Sequence, residues 1–91
     1  MRKHGRLDSN QNMIVKRLRL IHGVSVLSIA SQGNGAPDLL IGFRKTNFLI
    51  ELKSDEKSSL TKYEALFHGM WKGQVCICRS FEDVLNAIGL E

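Results

Sequence analysis

The chain has 91 residues, a formal net charge of +4 and 43% hydrophobic residues, which suits one globular domain at the small end of what a single core stabilises. That composition argues against disorder, and no apolar run approaches the ~20 residues of a membrane span. The basic start MRKHGRLDSN lacks the apolar stretch of a signal peptide, so a soluble, intracellular, cytoplasmic protein is expected.

Residues 1–7 read as a basic tail to a single domain spanning 1–91. Residues 9–22, SNQNMIVKRLRLIH, read as a helix with Ile14, Leu18 and Ile21 on one stripe; Asp8 can cap its start and Gly23 can stop it. Lys16, Arg17 and Arg19 fall largely off that stripe. With the other basic residues of the first 19, they suit a polyanion, or form a solvated face. VSVLSIA, 24–30, reads as a strand, and SQGNGAP, 31–37, as a loop holding the only proline.

DLLIGF and NFLIELK follow as a hairpin around Arg44, Lys45 and Thr46. Thr61-x-x-Glu64 has the form of a capping box and opens a helix to about Lys72, ended by Gly73. Tyr63, Phe67, Met70 and Trp71 recur along it at helical spacing and read as core, although one could stack on a base. QVCICR reads as a fourth strand, with Cys76 and Cys78 as free thiols on one face. Ser80 caps a last helix striped by Val84, Leu85 and Ile88. His22 and His68 read as surface or helix-end residues. The order α-β-β-β-α-β-α suggests an α/β fold, a mixed sheet flanked by helices.

Asp38, Glu51 and Lys53 are anomalous within these apolar runs, because buried charges are paired, bind a metal or do chemistry. A four-residue loop at 44–47 sets Phe43 opposite Phe48, Lys53 opposite Asp38 and Glu51 opposite Leu40. Leu39, Ile41, Phe43, Phe48, Ile50 and Leu52 then share one apolar face. Asp38, Leu40, Gly42, Leu49, Glu51 and Lys53 share the other. Asp38 and Glu51 become a diagonal pair about 7 to 8 Å apart, close enough to reach one cation. Oxygen donors of this kind suit Mg2+ or Mn2+, while a purely structural ion pair with Lys53 is the plainer alternative.

Pro37-Asp38 followed by Glu51-Leu52-Lys53 resembles the PD-(D/E)XK nuclease superfamily. More closely, residues 8–89 resemble a stand-alone, phage-type VRR-NUC domain, through DSNQNMIV, GNGAPDLLIG, FLIELK, SSLTKYEALFHGMWKG and VCICRSFEDVLNAIG. The resemblance implies a restriction-endonuclease-like αβββαβ core with a short C-terminal helix. It also implies a Mg2+- or Mn2+-dependent DNA endonuclease acting on structured or branched DNA, such as junctions or flaps. Asp38, Glu51 and the Leu52 backbone carbonyl would be metal ligands, Lys53 the catalytic lysine, and Gln11 a polar contribution from the first helix. Gln11 could equally end a capping box begun by Asp8.

Relatives usually carry glutamine where this chain has Glu64, which could add charge to the metal site through water or cap its own helix. Gly33-Asn34-Gly35 could admit a phosphate backbone, and Arg44 and Lys45 could touch phosphates. Cutting both strands of a junction symmetrically implies a homodimer; neither a membrane nor a nucleotide cofactor is implied. The rival functional reading is a non-catalytic nucleic-acid-binding module that retains the fold.

Overall fold

The structure, a computed structural model, describes residues 4–54 and 58–90. The elements run α1 (His4–Arg19), β1 (Val24–Ser28), β2 (Leu39–Phe43), β3 (Thr46–Leu52), α2 (Lys62–Met70), β4 (Cys76–Cys78) and α3 (Phe81–Ile88). A 3-10 turn, Ala30–Gln32, follows β1. The strands form one sheet in the order β1-β2-β3-β4, antiparallel except for the parallel β3–β4 pair. The α/β class, the mixed four-stranded sheet and the flanking helices are as expected.

One sheet face makes the core. Leu39, Ile41, Phe43, Ile50 and Leu52 are buried there with Ile14, Val15 and Leu18 of α1 and Val84 and Ile88 of α3. These two helices bring apolar stripes to the sheet, whereas α2 has no buried residue. Helix α3 is capped as anticipated, with Asp83 N donating to Ser80 Oγ at 3.1 Å. Helix α1 differs from expectation at both ends. It begins at His4, so residues 4–7 are helical rather than tail and Asp8 lies inside the helix, where it cannot be the N-cap. It ends at Arg19, and Gly23 takes its positive φ of 87° in the turn leading to β1.

The hairpin register is two residues away from the expected one. Phe43 pairs with Thr46 and Leu39 with Ile50, leaving only Arg44 and Lys45 in the turn. Both take left-handed backbone, with φ of 54° and 67°. Such a two-residue turn matches the twist of the flanking strands better than the four-residue loop does. A shift of two preserves parity, so the predicted faces stand, but the opposed pairs change.

Helix α2 lies over the other sheet face. It ends at Met70 with Trp71 as an extended C-cap, earlier than the Gly73 stop anticipated. The capping box of Thr61 and Glu64 is present: Glu64 N donates to Thr61 Oγ1 at 3.2 Å, and Thr61 N to Glu64 Oε1 at 2.9 Å. Tyr63, Met70 and Trp71 are 63%, 71% and 47% exposed, so they are not core as expected; Phe67 is half-buried. Cys76 and Cys78 are free, as anticipated, with Sγ atoms 4.0 Å apart.

The turn before β2 fixes the position of α2. Gly35 has φ of 80°, and a Cβ there would lie 2.1 Å from the Tyr63 carbonyl oxygen. Gly33 has a similar φ of 76° but open space around its missing side chain. Gly33, with ψ of −172°, lies in a region essentially reserved for glycine, so Gly33→Ala costs about 2 kcal/mol in backbone strain alone, and Gly35→Ala costs more because the turn must also part from α2. Urea denaturation of the two variants checks this, and equal losses would show that the turn does not hold the helix.

Candidate active site

Continuing the β2–β3 register past Leu39 and Ile50 sets Asp38 directly opposite Glu51. The diagonal placement expected for these acids, and the Lys53–Asp38 opposition, are thereby replaced. Asp38 stays close to the ladder, since Ile29 N donates to its carbonyl at 2.9 Å. Its carboxylate Oδ2 accepts from Leu52 N at 2.8 Å, which anchors the acid across the strands. On the other side Lys53 N donates to Cys78 O at 3.0 Å, so the end of β3 is held from both flanks.

Glu51 is 2% exposed, and its Oε1 has no hydrogen-bond partner. Lys53 Nζ lies 3.7 Å from Glu51 Oε2 and 2.7 Å from Glu64 Oε1. The lysine therefore meets two acids, Glu51 and Glu64. The capping and site roles considered for Glu64 are not exclusive: one oxygen closes the cap and receives the ammonium. Local spacing exposes the cap, but the Lys53 contact arises only when α2 folds back over β3.

The electrostatics follow from burial. Desolvation, reinforced by the charges of Asp38 and Glu64, pushes the Glu51 carboxyl up to about 9. Asp38 is also raised, chiefly by burial, with the Leu52 N–H pulling the other way. Burial pushes Glu64 upward too, but the hydrogen bonds from Lys53 and Thr61 outweigh it and leave this carboxyl below its usual value. A buried Glu51 with an orphaned oxygen, facing a half-buried Asp38, is short of positive charge.

A hard divalent cation fits that deficit. Asp38 and Glu51, with the Leu52 carbonyl expected beside them, could supply oxygen donors for one. Among the described residues no group of three or more His, Cys, Asp or Glu side chains is placed to hold a metal ion, and Glu64 bears on the site both through Lys53 and directly on Glu51.

Other anticipated site residues lie elsewhere. Gln11 is half-buried on α1 and makes no hydrogen bond to Asp38, Glu51 or Lys53. Lys16, Arg17 and Arg19 are exposed on α1, whose buried side packs on the opposite sheet face from the acids. The Arg17 guanidinium lies 3.9 Å over the Phe81 ring, and Arg19 donates to Val26 O at 3.0 Å. Arg44 and Lys45 occupy the turn at the far end of the hairpin, about 20 Å along the strands from the acids. Asn34, at φ 56°, borders a groove with Tyr63, Leu66, Phe67, Met70 and Trp71. His22 is exposed, while His68 Nε2 is buried without a hydrogen-bond partner.

A contribution that sequence reasoning missed comes from Gln74. Its Oε1 accepts from Leu49 N at 2.6 Å and its Nε2 donates to Leu49 O at 3.1 Å. A side-chain amide thus extends the β3 ladder where β4 stops. Only a tertiary contact reveals this, because a glutamine between a helix and a strand carries no local signal.

No protein-family model and no curated protein matches the chain. Among solved structures, one described as "VRR_NUC domain" superposes with a TM-score of 0.70 at 25% identity, covering 90% of this chain and 92% of that one. The resemblance carried by Pro37-Asp38 and Glu51-Leu52-Lys53 therefore extends to three dimensions: the chain has the restriction-endonuclease-like fold of a VRR-NUC domain.

Proposed function

We propose that the chain is a metal-dependent nuclease that hydrolyses phosphodiester bonds in DNA. The observation that carries the reading is the buried Glu51 directly opposed to a half-buried Asp38, with Glu51 Oε1 unpartnered and the Lys53 ammonium 3.7 Å from the same carboxyl. A pure binding module has no need of buried acids that repel phosphate. A structural ion pair would leave no carboxyl oxygen without a partner. The net charge of +4 suits a polyanionic substrate, and the likeness to a VRR-NUC domain supports nuclease chemistry. Structured or branched DNA is the substrate class this likeness favours, with two copies of the chain needed to cut both strands of a junction.

Mg2+ or Mn2+ held by Asp38, Glu51 and the Leu52 carbonyl would polarise the phosphate and acidify attacking water. The Leu52 N–H holds Asp38 in place, so its carboxylate needs no reorganisation to receive a cation. Glu51 binds as a carboxylate, so the cation takes the place of the proton that burial favours. Lys53 places its ammonium beside Glu51, where it stabilises hydroxide or the charge growing on the phosphate oxygens. Glu64 steers that ammonium and holds it on the α2 side. Water adds to phosphorus, the bond to the leaving sugar oxygen breaks, and that oxygen takes up a proton.

The decisive experiment compares wild type and Asp38→Asn on labelled four-way junction, linear duplex and single strand, in Mg2+, Mn2+ and EDTA. Asparagine keeps an acceptor for Leu52 N–H and removes the charge. We expect metal-dependent cleavage that falls at least about 100-fold in the variant while its melting temperature holds. DNA binding without cleavage in either metal would favour the binding module.

A second expectation concerns pH. Folding pushes the Glu51 carboxyl up to about 9, whereas the unfolded chain loses this proton near the ordinary value of 4.5. The metal-free protein therefore loses stability as pH rises through that window, and Asp38, also raised, adds in the same direction. Melting in EDTA should drop by at least about 5 °C from pH 5 to pH 9, and Glu51→Gln should remove most of the drop. A flat wild-type profile would show that Glu51 is already charge-compensated without metal.

A further inference from the structure

We infer that the groove under the C-terminal half of α2 receives an unpaired base of the DNA strand whose phosphate lies at Asp38 and Glu51. Its cavity of about 450 Å³ is of ligand-binding size and is lined almost wholly by apolar side chains. Leu40 and Leu49, a directly opposed pair, form the floor. Pro37, which is fully buried, makes one wall, and Phe67 of α2 with its C-cap Trp71 makes the other.

This groove adjoins the acids. Leu40 and Leu49 stand two residues from Asp38 and Glu51 on the same sheet face, about 7 Å along the strands. Pro37 is bonded to Asp38 itself. A phosphate at the acids and a base over Leu40 are therefore within the reach of one nucleotide.

The rings supply the affinity. Phe67 and Trp71 stack on each other, with centroids 5.0 Å apart and planes 16° from parallel. The indole is still 47% exposed, and a further flat ring can extend the stack into the groove. Every base has such a face, so stacking on aromatic side chains holds single strands with little regard to sequence. Asn47, opposite Gly42, adds an amide that makes no hydrogen bond among the described residues. An amide presents the paired donor and acceptor that recognise a base edge.

Charge selects the occupant. No cation lines the groove, so a phosphate is not its ligand. Lys62 at the start of α2 and Lys72 just past its end are exposed, and among the described residues neither is paired with an acid. An apolar slot between two free cations matches a strand of apolar base faces joined by anionic phosphates. An apolar peptide would leave both lysines unmatched. The placement of the phosphate rests on the nuclease reading, and the groove gives that reading a reason to favour branched DNA. A paired base must leave its stack to enter, at an energetic cost, whereas an unpaired base at a branch need not.

Trp71 is the chain's only tryptophan, so its emission reports on the groove directly. The full chain, in EDTA at low salt, is titrated with a short oligothymidylate, an abasic sugar-phosphate strand of the same length, and a fully paired duplex. Saturable quenching is expected from the oligothymidylate alone, and the abasic strand should bind at least about fivefold more weakly. Trp71→Ala should lose about the same factor for labelled oligothymidylate, read by anisotropy, and nothing further for the abasic strand. Trp71→Phe, which keeps an aromatic face, should recover most of the loss. Tyr63→Ala, an exposed aromatic outside this groove, should lose none. No saturable quenching up to about 100 µM, an abasic strand bound as tightly, quenching by the duplex as strong as by the single strand, or a Trp71→Ala penalty equal for both strands would overturn the proposal. A blue shift of Trp71 emission as the chain alone is concentrated would assign the groove to a protein contact instead. Because no metal is present, base-dependent binding by a chain that never cuts would sink the nuclease reading and leave the base-binding groove standing.

Discussion

A pleated ladder sends alternate side chains to opposite faces, and the antiparallel pairing of β2 with β3 applies that rule to both the core and the reactive site. Leu39, Ile41 and Ile50 are fully buried on one face and set the floor on which α1 and α3 pack. On the other face the same ladder brings Asp38 opposite Glu51. A slip of one residue between the two strands would scatter the acids across both faces and turn one of them into the core, at a substantial desolvation cost. Stability and chemistry are thus locked to one register.

The site concentrates opposed demands in a small volume. Burial and then the charge of Asp38 raise the proton affinity of Glu51, while Asp38 is raised chiefly by burial and pulled back by the Leu52 N–H and by Glu51. Lys53 relieves only part of it, because Glu64 draws the ammonium to 2.7 Å while Glu51 stays at 3.7 Å. The main-chain donor from Leu52 acts on Asp38 alone. The two acids thereby differ: one is anchored and partly compensated, and the other is buried with a free oxygen. Asp38 is thus held in a preset position, and Glu51 is the acid that burial keeps protonated.

Much of this was legible in the sequence because it rests on local or periodic signals. The order of elements, the two faces of the hairpin, and the caps at Thr61 and Ser80 all follow from spacing and residue type. The register did not, because loops of two and four residues give the same parity, and the choice depended on Arg44 and Lys45 both accepting left-handed backbone. The start of α1 was misplaced since Asp8 has the chemistry of a cap wherever it stands. The apolar spacing of Tyr63, Phe67, Met70 and Trp71 reads as core in any sequence, and only the fold shows that nothing in the described chain lies over that side of α2. The Lys53–Glu64 contact joins residues on separate elements, so no window along the chain contains it.

Gln74 bears on how the sheet avoids unwanted growth. Strand β4 spans only Cys76–Cys78 and begins pairing at Ile50, so β3 from Thr46 to Leu49 runs past its neighbour with bare amides and carbonyls. Exposed edges of this kind recruit strands from other molecules. By engaging both the N–H and the C=O of Leu49, Gln74 plugs the bare stretch where it meets β4 and denies an incoming strand that anchoring pair. A side-chain amide, rather than a further strand or a covering helix, thus closes this part of the edge.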